Sequence, residues 1–286
     1  MPGFTDVGDR VWVARYEWCD VNVCVVEGDA GLLVVDTHGS SHAAREVVAD
    51  LRRLSLRPVV AVVNTHAHFD HVLGNAVFRE EYADPPVTAH EAAAAATATQ
   101  LEELTAELRA MPPERRGAHD EEILQTPVVA ADRTFSSVTV IDLGDRSVEL
   151  VHPGRGHTDG DLVVRLEDAD VLLAGDLVEE SGPPAYGADC WPLEWPTSLD
   201  LVLQLVGPHT VVVPGHGAPV DREYVQEQRS SVGVVAETVR DLASRGVPLD
   251  GALGGADWPW APELLGEAVR RGYEQLPRSA KRLPLI

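Results

Sequence analysis

Lysine and cysteine are scarce in this chain. Lysine occurs once in 286 residues, at Lys281, and cysteine three times, at Cys19, Cys24 and Cys190. Three thiols in a chain this long make no disulfide framework, and Cys19 and Cys24 read as packing in or beside an early strand. Acidic residues outnumber basic ones 46 to 23, for a net charge of −23. Binding to a phosphate backbone depends on Lys and Arg displacing counterions, so nucleic acid is a poor partner. The same charge disfavours anionic membranes. No stretch approaches ~18 uninterrupted apolar residues, and Met1-Pro2-Gly3-Phe4-Thr5-Asp6 has neither a basic start nor an apolar signal core. These absences lead us to expect a cytoplasmic protein with no membrane segment.

Histidine is what the chain has instead. An apolar run from Pro58 to Val63 leads into Asn64-Thr65-His66-Ala67-His68-Phe69-Asp70-His71. In an extended backbone, residues two apart point the same way, so His66 and His68 can grip one ion. A turn into a helix at Phe69 would swing Asp70 and His71 toward a second position nearby.

Similar patterns recur downstream. The run from Ser147 to Val151 reads as a strand, followed by His152-Pro153-Gly154-Arg155-Gly156-His157. The glycines allow a sharp bend that favours His157 as a ligand, leaving His152 a structural residue at the strand end. Val171 to Ala174 leads into Gly175-Asp176, where burying an unpaired carboxylate would be costly unless a cation lay beside it. Val211 to Val213 leads into Pro214-Gly215-His216. Sites assemble at the carboxyl ends of strands in α/β sheets, and four apolar strands that each finish in a breaker and a ligand-type residue point to one metal centre.

The His-x-His-x-Asp-His motif after a strand, together with His157, Asp176 and His216, resembles the signature of the metallo-β-lactamase superfamily. The resemblance implies an α/β fold, a four-layer αβ/βα sandwich of two mixed β-sheets with outer helices. It also implies a ligand set: His66, His68 and His157 for a first metal, Asp70, His71 and His216 for a second, and Asp176 bridging them. Three imidazoles leave a fourth position open, as in catalytic zinc sites. The expected cofactors are two divalent ions, Zn2+ first, with Mn2+ or Fe2+ as alternatives.

Because the ligands run from residue 66 to residue 216, they must converge in one domain spanning 1–286. Short strands are expected over Val11–Ala14, Val21–Val26 and Leu32–Val35, and helices over about Ser41–Leu54, Val72–Phe78, Ser198–Val206, Arg222–Arg245 and Pro262–Glu274. A helical insertion at about 89–133 carries Leu101, Leu104 and Leu108 on one face. It reads equally as a lid over the metals or as a packed insertion. A C-terminal helical extension begins near 221. His38 is expected to be structural and His119 exposed. In the Gly/Pro-rich loop 181–195, Tyr186 and Trp191 are candidates to bind substrate, Tyr186 through an oxyanion and Trp191 by stacking.

The chemistry expected of such a site is hydrolysis of an acyl ester, lactone or thioester by a hydroxide shared between the metals. Asp70 would be both ligand and catalytic carboxylate, orienting the nucleophile and carrying its proton. The partner is then a small acyl substrate. Asp at position 176, and no Lys in the nearby loop, argue against a β-lactamase-like amide hydrolase. A glyoxalase-II-like glutathione site and a flavin domain have no counterpart here. Persulfide dioxygenase-like chemistry stays open, with one iron held by His66, His157 and Asp176.

Overall fold

The computed structural model describes residues 3–277. The chain runs β1 (Thr5–Gly8), β2 (Val11–Arg15), β3 (Asn22–Gly28), β4 (Gly31–Val35), α1 (Ser41–Leu54), β5 (Val59–Val63), α2 (Phe69–Val72), α3 (Asn75–Glu81), β6 (Val87–His90), α4 (Glu91–Ala110), α5 (Ala118–Gln125) and β7 (Arg133–Phe135). The second part follows as β8 (Val138–Asp142), β9 (Ser147–Val151), β10 (Val163–Leu166), β11 (Val171–Glu179), α6 (Trp195–Leu205), β12 (Val211–His216), α7 (Arg222–Ser244), α8 (Leu249–Ala252) and α9 (Gly266–Gln275).

Two mixed sheets result. One has seven strands in the order β1 to β7, and the other has five in the order β12-β11-β10-β9-β8. In the first sheet β1 to β4 pair antiparallel and β4 to β7 parallel, and in the second only β11 and β12 pair parallel.

Period-2 alternation sets the layers. Cys24, Val26, Leu33, Val35, Ala61 and Val63 point inward against Val148, Leu150, Val164 and Leu173 of the other sheet. Their sequence neighbours Val23, Val25, Leu32, Val34 and Val62 point outward and pack on Val47, Val48 and Leu51 of α1. The outer face of the second sheet, with Leu172, Ala174 and Val212, is covered by Leu199 and Val202 of α6 and Val232 and Val235 of α7. The fold is thus the four-layer sandwich expected.

Three expectations are corrected. β11 does not end at Gly175: a glycine at φ +53° and two register shifts against β12 kink the strand, which continues to Glu179. Asp176 therefore lies within a strand. β12 likewise carries Pro214 and Gly215 inside it and ends on His216. The limits 89 and 133 fall inside β6 and β7, parallel strands that extend the first sheet, so the helices between them form a crossover. Leu101, Leu108 and Ile123 of that crossover are buried with Val72 and Leu73.

Candidate metal centre

The candidate ligands meet where the carboxyl ends of β4 and β5 approach the ends of β11 and β12. Two local devices bring the sheets together there. The Asn22 amide donates to the Pro214 and Gly217 carbonyls, and Val21 bridges to His216. Gly215 passes so close to Asp176 that a Cβ on it would stand 1.8 Å from Oδ1, which only glycine allows.

Five imidazoles converge, and each is anchored by one ring nitrogen while the other faces inward. The Thr65 hydroxyl donates to Asp36 at 2.8 Å, so it must accept from His66 Nδ1 at 3.0 Å. His71 Nδ1 donates to Asp36 Oδ2 at 2.8 Å. His157 Nδ1 donates to the Ala185 carbonyl, and His216 Nδ1 to the Cys19 carbonyl. His68 is turned the other way: Nε2 donates to Asp189 Oδ2 at 3.1 Å, and Nδ1 faces His157 Nε2 at 2.8 Å. Outer partners of this kind set the tautomer and aim the free lone pair of a metal-binding histidine.

The inward atoms form two groups that share a carboxylate. His66, His68, His157 and Asp176 place ligand atoms within 4.8 Å of one another, as do Asp70, His71 and His216. Asp176 joins the second group, with Oδ2 3.1 Å from His216 Nε2 and Oδ1 3.2 Å from His71 Nε2.

The fit to metal is visible in what lacks a partner. His66 Nε2 and Asp176 Oδ1 are buried with no hydrogen bond among the described residues. Burying such atoms is costly unless something charged or polar meets them, and a cation between them does so.

The charges agree with that reading. Burial opposes ionisation of Asp176, yet His71 and then His216 hold its carboxyl well below the usual range. Burial also opposes the charge on His71 and His216. Asp176 outweighs it, lifting His71 well above the ordinary imidazole range and His216 to about 9. Burial and the neighbouring His71 push His66 far down, and burial with His68 brings His157 to about 4.

Residues 16–246 match the family model described as the metallo-beta-lactamase superfamily. The chain belongs to that superfamily. It is 30% identical over 203 residues to a metallo-beta-lactamase type 2 of Bacillus cereus, covering 70% of this chain and 68% of the relative. A linear primary-alkylsulfatase of Pseudomonas sp. (strain ATCC 19151) is 26% identical over 234 residues, covering 71% of this chain and 43% of the enzyme. Among solved structures, a metallo-beta-lactamase from Pontibacter korlensis aligns with a TM-score of 0.63 at 23% identity, over 82% of this chain and 99% of that one. A stereoselective inverting sec-alkylsulfatase from Pseudomonas sp. aligns at 0.75 with 19% identity, over 96% of this chain and 50% of that one. These structural likenesses speak for the fold.

A superfamily of metallo-hydrolases thus frames the remaining residues. A cavity of about 410 Å³ opens onto His68, the one imidazole of the centre left a quarter exposed. Its walls come from Phe69, from α4 and from Ala188 and Asp189 of the loop after β11. Neither Tyr186 nor Trp191 is among its lining residues. The Tyr186 ring is buried against Trp195 in the core under the second sheet. Trp191 lies beneath the Arg155 guanidinium at 3.5 Å, with that of Arg271 at 5.5 Å. Both aromatics pin the loop to the body, and Asp189 of that same loop reaches the centre.

Other histidines stay outside the centre. His152 stacks on His90 with ring centroids 3.9 Å apart. His38 is buried beside Tyr16 and Trp18 at φ +74°. His119 is half exposed and stacks on Trp18 at 4.0 Å. All three cysteines are free thiols, Cys24 within β3 and Cys19 in the turn before it.

Sequence reasoning missed Asp36, Thr65, Asp189 and Glu179. Asp36 had a signal, as the first polar residue after β4. Glu179 is buried beside Asp176 and His216, accepts the Ser181 hydroxyl at 2.6 Å, and is pushed up to about 7 by burial and then by Asp176.

Proposed function

We propose that this chain is a dinuclear metal hydrolase acting on an acyl ester, lactone or thioester, with Zn2+ as the first choice of metal. The observation that carries the proposal is the set of five imidazoles whose inward ring nitrogens, those of His66, His68 and His157 on one side and of His71 and His216 on the other, meet around Asp176. Bound divalent ions supply a water nucleophile at neutral pH and polarise the carbonyl under attack. His66, His68 and His157 would hold the first ion, and Asp70, His71 and His216 the second, with Asp176 between.

The chain's own residues do the rest. Asp70 sits beside the inward nitrogens, its Oδ2 3.5 Å from His216 Nε2 and 3.7 Å from His71 Nε2. From there its carboxylate orients the attacking water and takes its proton, to return it to the leaving group. The cavity beside His68 receives the substrate, and its apolar wall excludes bulk water from the scissile bond. Among the described residues no Arg or Lys lines that cavity, so nothing there would grip the carboxylate of a β-lactam.

A second reading is mononuclear iron chemistry on a persulfide, since His66, His157 and Asp176 belong to one group. The presence of His68 in that group and of a complete second group favours hydrolysis. One experiment separates them: metal content measured on the purified protein together with turnover of esters, lactones, thioesters and β-lactams. Two equivalents of zinc with ester, lactone or thioester hydrolysis support the proposal. Iron near one equivalent with oxygen uptake overturns it.

A further inference from the structure

The cavity beside His68 carries information about the substrate that the metal ligands do not. On α4, Gln100, Glu103, Leu104 and Glu107 recur at intervals that place them on one helix face, and that face forms a cavity wall. Leu101, Leu104 and Phe69 make its apolar part. Glu103 and Glu107 are exposed, and neither takes part in an ion pair among the described residues. Two carboxylates four residues apart on a helix repel, so local helix stability does not account for them.

Arg270 reaches the Ala188 carbonyl at 3.4 Å, but its guanidinium is held by Glu267 and Glu274. Asp189 on the opposite side adds a third acidic group, occupied by His68 and Gln100. The cavity therefore leads from the metal centre, past an apolar surface, to free negative charge.

We propose that this cavity selects substrates with an apolar body ending in a cationic group, such as a quaternary or primary ammonium, and disfavours those ending in a carboxylate. The proposal rests on the hydrolase reading above. The apolar segment lies on Phe69, Leu101 and Leu104, the scissile carbonyl sits toward His68, and the cation is met by Glu103 and Glu107. Exposed charge pairs are individually weak, so two together give a preference of about tenfold, compressed by salt.

The test uses the metal-loaded protein and three phenyl esters sharing one acyl chain, which ends in trimethylammonium, in its uncharged tert-butyl isostere or in carboxylate. The expected order of kcat/KM is cation over neutral over anion, with about tenfold between the first two at low salt. Glu103→Gln/Glu107→Gln should bring that ratio near one, and Glu103→Lys/Glu107→Lys should place the anion first. In parallel, calorimetry of hexyltrimethylammonium should show binding that weakens about tenfold in the Gln double variant. Equal rates for the cationic and neutral esters, a ratio unchanged in both double variants, or hexyltrimethylammonium binding that is absent or indifferent to them would overturn the assignment. If neither these esters nor any lactone or thioester turns over while that binding still depends on Glu103 and Glu107, the hydrolase reading falls and the pocket assignment stands.

Discussion

Asp189 Oδ2 lies 3.1 Å from His68 Nε2, on the side of the ring opposite the nitrogen that faces His157. The pair joins the loop after β11 to the motif after β5, 121 residues apart in sequence. It makes His68 the one imidazole of five that would bind through Nδ1. Asp189 is in turn held by the Gln100 amide at 2.8 Å, which ties the centre to α4.

Asp189→Ala should therefore loosen the first metal site without unfolding the protein. Loss of such an outer carboxylate costs about 10- to 100-fold in metal affinity. Competition with a chromogenic chelator measures it, and an affinity equal to wild type would show that Asp189 does not orient His68.

Asp70→Ala separates the ligand role from the catalytic one. With both metals saturated and verified by elemental analysis, kcat should fall about 10²- to 10⁴-fold. A fully metallated variant working near the wild-type rate would remove Asp70 from the proton path.

Gly215→Ala should abolish tight binding at the bridging position, because the new methyl would occupy the space of Asp176 Oδ1. We expect unchanged far-ultraviolet circular dichroism and a drop of at least about tenfold in affinity for one or both metals. Wild-type metal stoichiometry and affinity would show that the strands can part at no cost.

Metal binding should release protons at pH 7. His68, His71 and His216 are all raised above the ordinary imidazole value in the metal-free protein, so these three rings carry protons there that a metal must displace. Calorimetric titration in buffers of different ionisation enthalpy should report roughly two to three protons per chain. Heats independent of buffer would contradict this protonation state.

His38 gives the metal-free protein an acid-sensitive term. Burial lowers its pKa to about 4, with the nearby His71 adding to the shift against Asp70. The unfolded chain takes up this proton near pH 6.5, the folded chain only near 4, so stability falls as pH drops through that window. The loss is on the order of 3 kcal/mol. Asn tolerates the positive φ of this position, so urea unfolding of His38→Asn between pH 7 and 4.5 should show a shallower decline than wild type. Parallel declines would remove His38 from the balance.

The sequence carried most of the layers. Alternation in β3, β4 and β5 and the 3.6-residue period of α1 and α7 are local properties of chemically distinct residues, and they survive in the fold with shifts of a residue or two at the ends. β1, β6 and β7 escaped notice because they are three or four residues long and take their strand character from pairing partners. α5 was hidden in a charged stretch whose one buried residue is Ile123. β11 read as ending at Gly175, since a glycine followed by a carboxylate looks like a break until a partner strand accommodates the bulge.

For the centre, the division was similar. Ligand-type residues, their spacing and their position after apolar strands are written in the chain, because metal chemistry admits few side chains and a strand end presents them predictably. Which nitrogen of each ring faces inward depends on Asp36, Thr65, Asp189 and two backbone carbonyls, contacts made across up to 197 residues. The shape and charge of the cavity were likewise set only when α4 packed over Phe69. By itself, the sequence determined the set of candidate ligands and the family. The tertiary structure alone decided their orientation and what lies beside them, because hydrogen-bond direction and cavity walls arise between segments that have no relation along the chain.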